Sequence, residues 1–281
     1  MIWIVIILAW LGLCAGSFVN ALVWRLHEQE RLKAPAKKSK VNLSILNGRS
    51  VCPNCKHTLA WYDLIPLASW LVLRGKCRYC GRAISSQYPI VELMAGLVFV
   101  GSYLLWPLSA HQNGQWLLLA AWLVSSVGLL ALAVYDLRWM VLPNRIIYPT
   151  LLVAIVGRLA YLISWESRPG HALALWLGGL LVASGLFYVL FEVSKGKWIG
   201  FGDVRLGLIT GTLLGSPQKA LLMIFLASVL GSLVAVPQLA QKQKTLASRL
   251  PFGPFLIAAT LVCVLFGGTI LDHYARLMGL N

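Results

Sequence analysis

The chain has 281 residues, of which 59% are hydrophobic and only 12% charged, and its 24 Lys and Arg against 9 Asp and Glu give a net charge of +15. A soluble domain carries about 25% charged residues, so a soluble globular protein is excluded. With it goes the nucleic-acid partner that so basic a balance would otherwise suggest. The apolar residues fall in blocks of about 20, the length a helix needs to cross a hydrocarbon core about 30 Å thick. The expected fold class is an all-α polytopic membrane protein of about eight transmembrane helices, with a small cytoplasmic tetracysteine module of zinc-ribbon type.

The first block, residues 1–24, lacks the basic start of a cleavable secretory signal. Its first cation, Arg25, comes after it. Lys and Arg gather in cytoplasmic loops, so this segment is expected to be a retained helix with its N-terminus outside. The further spans are expected at 88–106, 115–135, 146–163, 172–191, 204–214, 220–239 and 252–270. Starting outside, every Lys and Arg except Arg158, Arg168, Lys219 and Arg276 then falls at or inside the cytoplasmic face. The sixth span is short, and Gly215-Ser216-Pro217 is expected to break it from the seventh.

Residues 25–87 are the one sizeable polar region and are expected to form a cytoplasmic loop. The basic stretch 31–40 suits a surface facing anionic lipid. Residues 51–87 read as a folded module, because Cys52-Pro-Asn-Cys55 is followed, after 21 intervening residues, by Cys77-Arg-Tyr-Cys80. Two such knuckles can close four thiolates around one zinc ion, leaving no open position, so the expected role is structural. Two disulfides are the alternative, disfavoured in a reducing cytoplasm. Cys14 and Cys263 lie in apolar spans and read as small packing residues.

Residues 88–281 form the expected membrane core. Ionisable residues within spans are costly and default to functional candidates. Asp136 closes the third span and Asp203 opens the sixth, after Gly200-Phe201-Gly202. One out-and-back hairpin lies between them, so both carboxylates return to the cytoplasmic face. Two adjacent carboxylates that share one proton are the machinery of an aspartic protease. The competing reading is that Asp203 caps a helix and that Arg138 or Arg205 neutralises either acid. Asn20, with Gly16 and Ser17, fits either a substrate path or a packing face between spans.

Taken together, the motifs resemble bacterial type IV prepilin peptidases, many of them bifunctional leader peptidase/N-methyltransferases. The likeness runs through Gly16-Ser17-Phe18-Val19-Asn20, both cysteine pairs, Gln87-Tyr88-Pro89-Ile90-Val91-Glu92, Tyr135-Asp136, Leu142-Pro143-Asn144, Gly200-Phe201-Gly202-Asp203 and Pro251-Phe252-Gly253-Pro254-Phe255. The resemblance implies Asp136 and Asp203 as catalytic residues. It places Gly200, Gly202, Arg205 and Asn20 in support of substrate, and Glu92 as a candidate for binding the methyl donor. It also implies a bacterial cytoplasmic (inner) membrane location and a prepilin or pseudopilin precursor as partner, in type IV pilus or type II secretion systems. S-adenosylmethionine would be the methyl source, and structural zinc would sit in the cysteine module. Arg205 stands where the family often has Lys. The alternatives are a presenilin-like intramembrane aspartyl protease and a non-catalytic zinc-ribbon membrane scaffold. Oligomeric state is not legible in the sequence.

Overall fold

A computed structural model describes residues 1–32, 42–45, 47–106, 114–240 and 250–279. Lys33, Lys37, Lys38 and Lys40 of the basic stretch, and Lys242, Lys244 and Arg249, lie outside the described residues. Among the described residues the chain is helical, and two isolated β-bridges are its only extended pairing. It divides into two compact units, Met1–Leu104 and Leu105–Asn281.

In the first unit, α1 (Ile2–Leu32) is followed by the short α2 (Ala68–Val72) and by α3 (Gln87–Leu104), and α1 lies against α3. The approach depends on glycine. A Cβ on Gly12 would stand 2.7 Å from the Ala95 carbonyl, and one on Gly16 would stand 2.8 Å from that of Val91. Small residues of this kind let helix backbones meet inside a membrane. Asn20 locks the same seam, its Nδ2 donating to the Tyr88 carbonyl at 3.1 Å. The helix does not stop at Trp24 but continues through Arg25 to Leu32. Arg25 is buried, and its guanidinium donates to the carbonyls of Ser44 and Ile45 at 3.1 Å and of Gly48 at 2.8 Å. Three backbone acceptors let this cation remain in a helix that composition alone would end at the first charge.

The second unit holds α4 (Gln115–Trp139), α5 (Asn144–Ser164), α6 (Pro169–Leu180), a π-helical turn (Leu181–Gly185), α7 (Leu186–Ser194), α8 (Phe201–Leu214), α9 (Pro217–Ala240) and α10 (Gly253–Leu277). Its polarity is inverted relative to a soluble bundle. Thr210 and Thr260 are completely buried, their hydroxyls donating to the Gly207 and Leu256 carbonyls, while Ile163 and Leu181 are 82% and 74% exposed. Apolar side chains outward and satisfied hydroxyls inward are what a lipid solvent selects. With α6, the π turn and α7 taken as one, seven helices among the described residues are long and apolar enough to cross a membrane.

The sixth expected span is α8, which is short and not among those seven. Its 14 residues make about 21 Å of helix, well under a hydrocarbon thickness of about 30 Å. It ends at Gly215, which is left-handed at φ +67°, and α9 begins two residues later at Pro217. The expected break is therefore present. Around α8 the packing again relies on glycine. A Cβ on Gly207 would meet the Ala183 carbonyl at 2.5 Å, and one on Gly211 would meet that of Gly179 at 3.0 Å. The π turn supplies Ala183 and also Ser184, whose Oγ donates to the Val204 carbonyl at 2.9 Å. A π turn inserted in a helix commonly marks a functional site. Here it fixes the residue next to Asp203.

Candidate active site

Asp136 sits in the last turn of α4 and is 5% exposed, behind Tyr135, which is 1% exposed. Asp203 is partly buried in the first turn of α8. The two acids belong to the same unit, and the charge of Asp136 acts directly on Asp203. Each carboxylate is served by one glycine N–H. Gly253, at the start of α10, donates to Asp136 Oδ2 at 3.1 Å, and the Gly200 backbone serves Asp203. A side chain at 253 could not coexist with this arrangement, because its Cβ would lie 2.7 Å from the same Asp136 oxygen.

Neither acid forms an ion pair among the described residues. Arg205, one of the expected neutralisers, instead donates to Asn144 Oδ1 and lies over the Phe201 ring, 4.6 Å from its centroid. Arg138 lies over Trp139 at 5.7 Å. Nor is Asp203 the N-cap of α8: Gly200 holds that position and Asp203 stands three residues on. Gly202 approaches Leu142, whose Cβ would be 3.2 Å from an added Cβ. The Leu142-Pro143-Asn144 turn therefore backs the Asp203 loop twice, through Leu142 and through Asn144.

This arrangement brings together Asp136, Asp203, Gly200, Gly202 and Arg205. The sequence reading gave no role to Gly253, Ser184 or Leu142. The Pro251-Phe252-Gly253-Pro254-Phe255 run was visible, but only geometry shows that its glycine N–H reaches Asp136.

Glu92 and Asn20 belong to the first unit. Glu92 is 7% exposed and its Oε2 accepts the Leu67 N–H at 2.8 Å. Leu67 centres a tight γ-turn at φ +59°, closed by the Ala68 N–H on the Pro66 carbonyl at 2.6 Å. This turn is rare for a bulky residue and costs strain. The Glu92 carboxylate helps hold it.

The four cysteines converge as well. Their sulfurs all lie within 4.8 Å of one another, and Cys52 Sγ is 3.9 Å from Cys80 Sγ. Tetrahedral ligation at about 2.3 Å per sulfur separates neighbouring sulfurs by about 3.8 Å, so the set fits a metal ion. No cysteine is in a disulfide. The two knuckles are alike: each closes with a bridge, Val51 with Thr58 and Lys76 with Ala83, and each turns left-handed after its second cysteine, at Lys56 (φ +60°) and Gly81 (φ +68°). Burial opposes the Cys77 thiolate, but backbone donors at Cys80 and Tyr79 and the neighbouring Cys52 and Cys80 thiols outweigh it and bring the thiol down to about 7. Asp63 ties the second knuckle to the intervening segment. It accepts Arg78 Nε at 2.8 Å and the Tyr79 hydroxyl at 3.0 Å. Although burial opposes its charge, the hydrogen bonds from Arg78, Tyr79 and Ala60 hold its carboxyl below the usual range.

Comparison with known proteins places this geometry. Residues 10–106 match the bacterial peptidase A24 N-terminal domain, and residues 122–236 match the type IV leader peptidase family. A prepilin leader peptidase/N-methyltransferase of Stutzerimonas stutzeri is 32% identical over 95% of this chain and 92% of its own length. The chain belongs to the type IV leader peptidase family. A type 4 prepilin-like proteins leader peptide-processing enzyme of Escherichia coli is 33% identical over 87% of both chains. The prepilin leader peptidase/N-methyltransferase of Pseudomonas aeruginosa is 29% identical over 96% of this chain and 92% of its own. No solved structure matches. The N-terminal family region contains α1 from residue 10 onward, the cysteine module and α3, and the leader peptidase region contains both aspartates but ends before Gly253.

The metal site has a direct check. The purified protein should carry about one metal ion per chain, and Cys52→Ser or Cys80→Ser should lower that occupancy at least tenfold by elemental analysis of desalted protein. Equal occupancy in wild type and variants would place any metal elsewhere.

Proposed function

We propose that this chain is an aspartic endopeptidase that removes the basic leader of prepilin or pseudopilin precursors at the cytoplasmic face of the bacterial inner membrane, and that it then N-methylates the new N-terminus. The observation that carries the peptidase reading is the electrostatically coupled pair Asp136 and Asp203, free of any ion pair and each served by one glycine N–H. An acid neutralised by arginine would be a structural element. Two acids that act on one another electrostatically do not both ionise easily, and such a pair can share one proton.

The chemistry follows from that shared proton. The ionised carboxylate takes a proton from water as the water oxygen attacks the scissile carbonyl carbon. The protonated partner gives its proton to the carbonyl oxygen. In the second step the acid that gained the water proton delivers it to the leaving nitrogen. The C–N bond breaks, and the other carboxylate recovers a proton from the tetrahedral hydroxyl. The two residues exchange roles, which suits a pair in which each member has its own backbone donor. Gly200 and Gly253 let the main chain reach both oxygens, and Gly202 lets Leu142 close behind the loop.

Orientation rests on charge. The end of α4, the start of α5 and the loop before α8 carry Arg138, Arg145, Lys195 and Lys197, and a positive-inside distribution puts that face in the cytoplasm with the N-terminus outside. The leader precedes an apolar helix, so a cut at this face leaves that helix in the bilayer. This separates the proposed reaction from a presenilin-like cut within a span. Zinc is the metal proposed for Cys52, Cys55, Cys77 and Cys80. Four thiolates leave no open position, so it would stabilise the fold of the module without touching substrate.

S-adenosylmethionine would supply the methyl group. Glu92 is proposed as the residue that receives the donor or the new amine, since it is a buried acid beside a strained turn. Asn20 is assigned to the α1–α3 seam rather than to substrate.

Two measurements test these roles. Asp136→Asn and Asp203→Asn should each lower prepilin cleavage by about 10³-fold or more, with an unchanged melting transition in detergent; cleavage at the wild-type rate would remove the assignment. Glu92→Gln should retain cleavage while losing at least tenfold of the radiolabel transferred to processed pilin. Loss of both activities together would instead make Glu92 a structural residue of its turn.

A further inference from the structure

A second polar site lies in the same unit as the aspartates but at the other end of α8. Arg158, from the second half of α5, and Lys219, from the first turn of α9, line a cavity of about 110 Å³ together with Trp106, Gln115, Trp122 and Thr212. Along α8 the cavity residue Thr212 is nine positions beyond Asp203, about 13 Å of helix. The cavity exceeds the share of one water, about 30 Å³, so a single bridging water does not fill it.

Several of its polar atoms lack partners. Among the described residues, Arg158 Nε, Trp106 Nε1 and Gln115 Oε1 are buried with no hydrogen bond, and Gln115 is only 3% exposed. Buried polar atoms are almost always paired, so several orphans around one cavity require an explanation. The charges pose the same question. Arg158 and Lys219 are close enough to repel one another. Tyr161 and Glu166 act electrostatically on Arg158, and Cys263 and Asp272 on Lys219, but none of them forms an ion pair with either cation among the described residues. All nine acids of the chain are described, and none forms an ion pair with either cation. Two half-buried cations held near one another without a carboxylate are costly unless an anion joins them.

The cations are also fixed in place. A Cβ on Gly215 would overlap the Arg158 guanidinium, so the left-handed turn between α8 and α9 leaves the room that this side chain occupies. The Lys219 stem lies along Gly267 of α10. The Gln115 amide donates weakly to the Tyr161 hydroxyl at 3.5 Å, and a half-turn presents its NH2 to the cavity instead. A guanidinium fork, an ammonium, an indole N–H and an amide then converge as donors, with few acceptors among them.

We propose that this cavity binds a phosphate group, with Arg158 and Lys219 as counter-charges and Trp106 and Gln115 as neutral donors. A guanidinium matches phosphate oxygens in bidentate fashion. The cavity lies toward the ends of α4, α5 and α8 remote from the aspartates, so the group can arrive on an anionic phospholipid or as free phosphate. The site is independent of the peptidase chemistry. Bound there, the anion joins α5 to the α8–α9 turn and steadies the helix whose other end carries Asp203.

The test uses the full chain in neutral detergent, with inorganic phosphate, dioctanoyl phosphatidylglycerol and, as uncharged control, dioctanoylglycerol. At least one phosphate probe should bind saturably and raise the melting temperature, and dioctanoylglycerol should do neither. Lys219→Gln and Arg158→Gln should each weaken that binding tenfold or more, as expected for loss of a hydrogen bond to a charged group, whereas Asp136→Asn should leave it unchanged. Saturation by phosphatidylglycerol alone identifies a lipid headgroup, and saturation by inorganic phosphate identifies a soluble anion. Lys219→Gln keeps the buried guanidinium and so serves if Arg158→Gln does not fold. Absence of saturable binding by either probe, or equal affinity in wild type and Lys219→Gln, would overturn the proposal.

Discussion

The peptidase chemistry proposed for the second unit depends on one electrostatic interaction, that of Asp136 with Asp203. Two like charges at the edge of a low-dielectric bundle repel strongly, and the fold must hold them together against that force. It does so by enclosing the loop of Asp203. Gly202 seats on Leu142, Asn144 takes Arg205, Ser184 anchors Val204 and Gly253 reaches Asp136. The glycines at 207 and 211 then bring α8 against the π turn and α6 more closely than any side chain would allow. Removing arginine from the neighbourhood of the acids matters as much as adding donors, because an ion pair would abolish the shared proton.

The first unit solves a different problem. Its loop is too short and polar for a core of its own, so it depends on cross-links: four sulfurs within 4.8 Å, Asp63 joining the second knuckle to the segment before it, and Arg25 gathering three carbonyls to the end of α1. Metal binding to such a module is folding free energy. Lys56, beside Cys55, covers the Trp24 ring of α1 at 5.2 Å.

Much of this was legible in the sequence, because the membrane makes hydrophobic runs long and charges conspicuous. The spans, the cysteine knuckles and the two acids all follow from run length, spacing and the scarcity of acids in apolar segments. The rest depended on distances that sequence does not carry. Arg25 looks like the end of a helix until its carbonyl partners are known, and α1 runs on to Leu32. Arg205 looks like a counter-ion for Asp203 until Asn144 is found beneath it. The 204–214 segment looks like a span by hydropathy, yet its length is that of a helix held within the bundle. Gly253 stood in a recognisable motif, but a backbone N–H has no sequence signature. Arg158 and Lys219 were noted only as cations on the wrong side for loops, since nothing in their spacing of 61 positions shows that they meet.

The pH dependence of kcat/KM for leader cleavage, measured with a prepilin in mixed micelles, bears most directly on the shared proton. One proton on the Asp136–Asp203 pair requires a bell-shaped profile: activity falls on the acid side when both carboxyls are protonated and on the alkaline side when both are ionised. A rate that rises with pH to a plateau, with no alkaline limb, on an enzyme shown to remain folded would mean that the two acids do not work as a pair.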